Sequence, residues 1–192
     1  PPCTDRIIRE NIKRVVIATA DPNPYVNGDG IRRLRDNNIQ VDIGPLQDRA
    51  IQLNEKYFVF HKFKRPFIHL KIAQSLDGRI ATTLGKSKWI TNENAKNLVY
   101  RLRSENDAVL VGIKTVLQDD PLLTVRNIQG QNPVRIILDN ELITPPASHV
   151  LDVRNGHKTM IFAAQPRQRS HKKILEDLGA EVIIVDMQEG KY

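Results

Sequence analysis

An α/β fold is the class this sequence predicts, and three observations carry it. Apolar, β-branched runs of strand length, among them VRIIL at 134–138 and TMIFA at 159–163, are separated by segments with helical spacing. The strand–helix–strand order recurs along the chain, which favours parallel pairing with helices layered on a sheet. Polar residues and glycines collect just after the strands, at the edge where open α/β sheets bind their ligands.

Taken in order, IKRVVIATA at 12–20 reads as a buried strand and DPNPYVNGDG as the loop after it. Ile31 and Leu34 belong to a short helix ending at Asn38, and Ile39–Ile43 forms the next strand. Leu46, Ala50, Leu53, Tyr57 and Phe60 recur at helical spacing and predict one amphipathic helix. HKFKRP then reads as a linker, with a domain boundary near residue 62 that divides the chain into 1–61 and 62–192. In the second part FIHLKIAQS predicts a strand, SLDG a turn, and Thr91 the N-cap of a helix bearing Ala95, Leu98 and Leu102. Strands follow at 107–111, 134–138, 159–163 and 181–186. A short helix runs from Gly112 to Gln118, and another from Ser170 to Leu178 is closed by Gly179.

Composition narrows the function classes. With 40% hydrophobic and 27% charged residues the chain has an ordinary globular make-up. No apolar run reaches the roughly 20 residues a membrane span needs, and a single Cys suits a reducing compartment, so a cytoplasmic protein is expected. The net charge of +7 is scattered. Its denser clusters, Lys62, Lys64 and Arg65, then Arg167, Arg169, Lys172 and Lys173, are not interleaved with the exposed aromatics of a single-strand-binding surface. They read as solvated faces, and no nucleic-acid partner is expected.

Between Lys71 and Arg126 the residues read as a small-molecule site. Gly78, Gly85 and Gly112 permit close backbone approach, while Ser87, Thr115 and Asp119 offer hydroxyl and carboxylate partners for a ribose or a carboxamide. Arg103 and Arg126 have the planar, forked geometry that grips a phosphate. Each residue also has a plainer role: Asp77-Gly78 as a turn, Asp119-Asp120-Pro121 as a helix stop, Trp89 as core, Thr115 as a back-bonding helical threonine. Neither GxGxxG nor GxxxxGK[ST] occurs, nor GxSxG or HExxH. Chemistry without a protein nucleophile, such as hydride transfer from a bound cofactor, fits best.

The order PPCTDRII, DPNPYVNGDGI, LNEKYF, RPFIHLKIAQSLDGRIAT, GKSKWIT, LRSENDAVLVGIKTVLQDDPLLTVR and PVRIILDN closely resembles the bifunctional deaminase/reductase family of riboflavin biosynthesis. The resemblance runs from residue 1 to about Asn140. It implies the end of a cytidine-deaminase-like domain followed by a dihydrofolate-reductase-like domain, both incomplete. It implies reduction by NADPH of the ribosyl side chain of a phosphorylated pyrimidine. Ala73, Trp89, Thr115, Asp119 and Asn140 fall on cofactor-contact positions; Ser87, Arg103, Leu123 and Arg126 fall on substrate-contact positions. Asn140 stands where the family often carries serine. Lys71 and Asp77 match the motif as candidates for proton delivery or site geometry. Cys3 matches the last Zn2+ ligand of the deaminase, whose zinc needs a His and a second Cys that these residues do not supply. The resemblance therefore implies a window on a longer protein, inactive as a deaminase by itself and conceivable as a homo-oligomer. The alternative expectation is a non-catalytic remnant that serves as a structural or dimerisation module.

Overall fold

The computed structural model describes residues 3–26, 28–83 and 92–186. They divide into two compact units, residues 1–72 and 73–192.

The first unit holds α1 (Cys3–Arg9), β1 (Arg14–Ile17), α2 (Asp29–Asp36), β2 (Gln40–Ile43), α3 (Gln47–Leu53) and α4 (Glu55–Phe63). β1 and β2 pair in parallel, Arg14 opposite Gln40 through Ile17 opposite Ile43. β1 is shorter than the nine-residue run predicted, for two local reasons. Gly44 donates its N–H to the Ile17 carbonyl at 3.0 Å and then turns away with φ 116°, so the ladder ends at Ile17 opposite Ile43. Asp21 Oδ1 accepts the Asn23 N–H at 2.8 Å and bends the chain into a turn. Leu34, Ile39 and Val41 are the buried centre, packed by Ile7, Ile8, Val15, Ile17 and Ile31.

The single amphipathic helix expected over 46–60 is two helices. The Asn54 side chain donates to the Ala50 carbonyl at 2.9 Å, competing with the backbone ladder, and the chain breaks there. Its apolar stripe is not buried in this chain: Leu46, Leu53 and Phe60 are 68%, 85% and 55% exposed. α4 continues through residue 62, where the sequence placed a boundary, and stops at Lys64 in the left-handed region. Phe63 is exposed within the basic cluster at 62–65, contrary to the expectation of no interleaved aromatic. Its ring lies 5.5 Å from Lys62 Nζ and 5.7 Å from the Arg65 guanidinium carbon.

The second unit is built on a four-stranded parallel sheet in the order β3-β4-β5-β6. The strands are β3 (Ala108–Gly112), β4 (Val134–Leu138), β5 (Thr159–Ala163) and β6 (Glu181–Ile184), with α5 (Glu93–Ser104), α6 (Ile113–Asp119) and α7 (Arg169–Asp177). The strand expected over 67–75 is not formed. Ile68 and Leu70 are 70% and 82% exposed, and no ladder pairs them. An apolar alternating run becomes a strand only when a partner takes up its N–H and C=O groups. Among the described residues β3, the near edge of the sheet, pairs only with β4.

α5 is capped by Asn92, whose Oδ1 accepts the Ala95 N–H at 3.0 Å; Thr91, the expected cap, lies outside the described residues. α7 ends as expected at Gly179. There φ is 91°, and the N–H groups of Gly179 and Ala180 return to the carbonyls of Glu176 and Leu175. A Cβ at 179 would sit 2.8 Å from Val153 Cγ2, so glycine is required twice over. Ile137, Ile161, Leu175 and Val150 are fully buried, and Val116, Leu123 and Leu142 join them. Burial of each such side chain stabilises by about 1.5–3 kcal/mol. Arg135 is buried in the same layer, donating to the Asp152 carbonyl at 2.7 Å, and desolvation lowers its pKa. No helix among the described residues is long and apolar enough to cross a membrane.

Candidate functional site

Three of the four residues expected on the substrate side are brought together. After α6 the chain passes three non-glycine residues at positive φ: Asp120 at 38°, Leu123 at 56° and Asn127 at 63°. These reversals fold the 120–127 loop back against α5. Leu123 is buried as the loop's apolar anchor. The adjacent Thr124 carbonyl accepts Arg103 Nη1 from α5 at 2.9 Å. The Val125 N–H donates to Asn132 Oδ1 at 2.7 Å, and Asn132 meets His157 Nε2 at 3.0 Å, which ties the loop to the rest of the unit.

Two cations converge on one ring. The guanidinium carbons of Arg103 and Arg126 lie 5.8 and 5.1 Å from the centroid of Tyr100. Arg103 is half-buried, its Nε meets no partner, and burial followed by the repulsion of Arg126 lowers its pKa, with Tyr100 acting the other way. No ion pair joins either arginine to a carboxylate among the described residues. Among the described residues two adjacent like charges, one of them desolvated, stand together without a carboxylate partner, an arrangement that suits an anion. Ser87, the fourth residue of the group, lies outside the described residues.

The cofactor-side residues gather less tightly. Thr115 and Asp119 stand one turn apart on α6, which leaves the carboxyl end of β3. Asn140 follows the carboxyl end of the neighbouring β4, where Gly112 and Leu138 are paired in register. Its side chain is exposed, and its carbonyl accepts the N–H groups of Ala164 and Gln165 at 3.1 and 2.8 Å. Ala73 is half-buried in irregular chain, and Trp89 lies outside the described residues. No hydrogen bond among the described residues links these positions directly, and none ties the Thr115 hydroxyl back to its helix. A hydroxyl, a carboxylate and an amide at one sheet edge form a donor and acceptor set suited to a nucleotide's ribose and amide groups.

Other candidates resolve into plainer roles. Ser75 Oγ donates to Asp77 Oδ1 at 2.5 Å and Arg79 Nε to Oδ2 at 3.2 Å, so the Asp77 carboxylate is engaged by its own turn. The hydrogen bond from Ser75 is the main cause of its lowered pKa. Gly78, at φ 77°, serves that turn, whereas Gly112 is extended and needs no glycine conformation; Gly85 is outside the described residues. Lys71 is exposed. Cys3 is exposed at the start of α1, and among the described residues no three His, Cys, Asp or Glu side chains cluster as metal ligands. One thiolate cannot by itself complete a zinc site.

Comparison with known proteins gives the chain a family. The family described as RibD C-terminal domain matches residues 66–189. The chain belongs to the RibD family. The riboflavin biosynthesis protein RibD of Aquifex aeolicus is 46% identical over 186 residues, covering 96% of this chain and 51% of that protein. Its Escherichia coli counterpart is 38% identical over 211 residues, covering all of this chain and 57% of that protein. Among solved structures, Acinetobacter baumannii RibD superposes with a TM-score of 0.81 at 35% identity, covering 97% of this chain and 52% of that one. The Thermotoga maritima diaminohydroxyphosphoribosylaminopyrimidine deaminase/5-amino-6-(5-phosphoribosylamino)uracil reductase gives 0.77 at 36% identity, covering 95% and 56%. The chain thus spans about half the length of the RibD proteins it matches, and the α/β class and the resemblance both hold.

Sequence reasoning missed two features of this RibD-family chain. Tyr100 stands three residues before Arg103, a spacing that puts both on one face of α5, and this was the available signal. The second is Asp139, which is fully buried and accepts two hydrogen bonds from Thr144. Nothing in the local sequence marks an aspartate after a strand as buried.

Proposed function

We propose that this chain carries part of an NADPH-dependent reductase of riboflavin biosynthesis, acting on the ribosyl side chain of 5-amino-6-(5-phosphoribosylamino)uracil. The observation that carries the reading is the Arg103–Arg126 pair on Tyr100, two uncompensated cations in a chain of the RibD family. Such a pair suits the dianionic 5-phosphate of the substrate, with forked N–H donors that fix its orientation. The Thr124 carbonyl holds Arg103 in place, so the phosphate would be met by a preformed cradle. Thr115, Asp119 and Asn140, with Ala73 and Trp89, form the proposed nucleotide side, and Ser87 completes the substrate side. When bound, NADPH supplies the hydride that reduces the first carbon of the ring-opened sugar, and a proton completes the alcohol. The protein's part is to hold and orient, which agrees with the lack of an activated nucleophile. Pyrimidine deamination is proposed for the longer protein only, with Cys3 as one of its zinc ligands.

The test is NADPH oxidation by the full-length natural protein with the deaminated pyrimidine phosphate. Arg103→Ala should raise the substrate KM by about 10- to 100-fold, the loss of a charge-assisted contact of about 1.5–3 kcal/mol. The nucleotide KM should change far less. Equal losses for both ligands would remove the phosphate role.

A further inference from the structure

The loop after β4 contains a carboxylate that the proposed binding roles leave unused. Asp139 is fully buried at the carboxyl end of the strand. Its Oδ2 accepts the backbone N–H of Thr144 at 2.8 Å and the Thr144 hydroxyl at 2.7 Å, while its buried Oδ1 meets no donor. A bare oxygen on a buried carboxylate is costly. A carboxylate holds both Thr144 donors on one charged oxygen, which a neutral amide would accept more weakly, so an aspartate here fixes the loop more firmly than an asparagine would.

The loop it closes is anchored at nearly every residue. Thr144 is itself fully buried, and its carbonyl accepts His171 Nε2 at 2.8 Å. Leu142, at φ 53°, is buried in the core. The Asn140 carbonyl accepts two N–H groups from 164 and 165, and the Glu141 carbonyl accepts the Arg167 N–H at 2.9 Å. Next to Asp139 this frame presents the Asn140 side chain outward at the carboxyl end of β4, beside β3, while the neighbouring Glu141 side chain is paired with Arg167.

We infer that Asp139 is a positioning residue: through Thr144 it sets the pose in which Asn140 meets the nucleotide. This rests on the NADPH reading of the same edge. It separates two functions in two adjacent residues, contact at 140 and placement at 139. Loss of the Asp139–Thr144 bond pair lets the 139–144 loop relax, which moves the Asn140 amide without touching the arginine pair.

The experiment is steady-state kinetics of the full-length natural protein with NADPH and the deaminated pyrimidine phosphate, for wild type, Thr144→Val, Thr144→Ser and Asp139→Asn. Thr144→Val should raise the nucleotide KM by about tenfold, with the substrate KM and kcat nearly unchanged. Thr144→Ser, which keeps the hydroxyl, should restore the wild-type value. A lowered melting temperature with an unchanged nucleotide KM would overturn the inference and leave Asp139 a folding residue. Should Thr144→Val be insoluble, Asp139→Asn decides by the same split, and a wild-type nucleotide KM there is equally fatal. A wild-type protein that consumes no NADPH with this substrate would sink the reductase reading itself. Turnover by wild type with no KM effect in the variants would sink this inference alone.

Discussion

The arginine pair and the Asp139 loop lie in the same unit and are held by opposite means. At the pair, two cations are crowded onto Tyr100 with no carboxylate partner among the described residues, and Arg103 is left partly unsatisfied. At the loop, Asp139 Oδ2, Thr144 and the carbonyls of Asn140 and Glu141 are bonded to one another or to the chain beyond β5, and the bare atom is Asp139 Oδ1. The difference teaches how binding and placement divide the cost of a site. On the proposed reading, a pair of cations kept for an anion stays uncompensated within the chain at some cost in stability. A group that only orients a neighbour can be satisfied within the fold.

Substitutions can break or sharpen this contrast. Asp139→Ala should have the largest effect on stability, about 3 kcal/mol in a denaturant titration, because it strands a buried N–H and a buried hydroxyl. Gly130→Ala should cost about 1–3 kcal/mol by overpacking. Its new Cβ would lie 2.5 Å from Ser104 Cβ, so it presses on the residue that follows Arg103. A rise in substrate KM is expected with that loss, and stability unchanged by Gly130→Ala would show that the loop is freer than its packing implies. Arg126→Met should leave stability the same or raise it by up to about 0.5 kcal/mol, since it relieves repulsion at an exposed position. A clear loss of stability there would contradict an uncompensated pair. The smallest effect belongs to Asp77. Its folded pKa lies below the model-peptide value of 3.8, so its contribution is present above that pH and fades as the pH falls through the folded value. Asp77→Asn should therefore shift stability slightly at neutral pH and not at all in strong acid, and a change in kcat would restore Asp77 to the chemistry.

Much of the second unit was legible from local pattern. The β-branched runs at 134–138 and 159–163 match their strands residue for residue, and Gly179 marks the end of α7 because the left-handed turn and Val153 both exclude a side chain there. Arg103 and Arg126 were legible as candidate phosphate ligands by residue type. Their meeting was not, since it depends on three reversals at Asp120, Leu123 and Asn127, and the middle one falls on a leucine, a residue type that rarely takes that conformation.

The failures have a common cause. The run at 67–75 has strand chemistry and no ladder partner; the stripe at 46–60 has helical spacing but is cut by the Asn54 side chain and left exposed. Periodicity states what a segment would bury, and only a packed neighbour decides whether it does. By itself, then, the amino-acid sequence determined the α/β class, the family and the chemical types at the site, because these follow from side-chain periodicity and from motifs in order. Tertiary structure alone decided that the two arginines share one tyrosine and that Asp139 is buried behind Asn140. Long-range contacts set both distance and desolvation, and neither is written in local spacing.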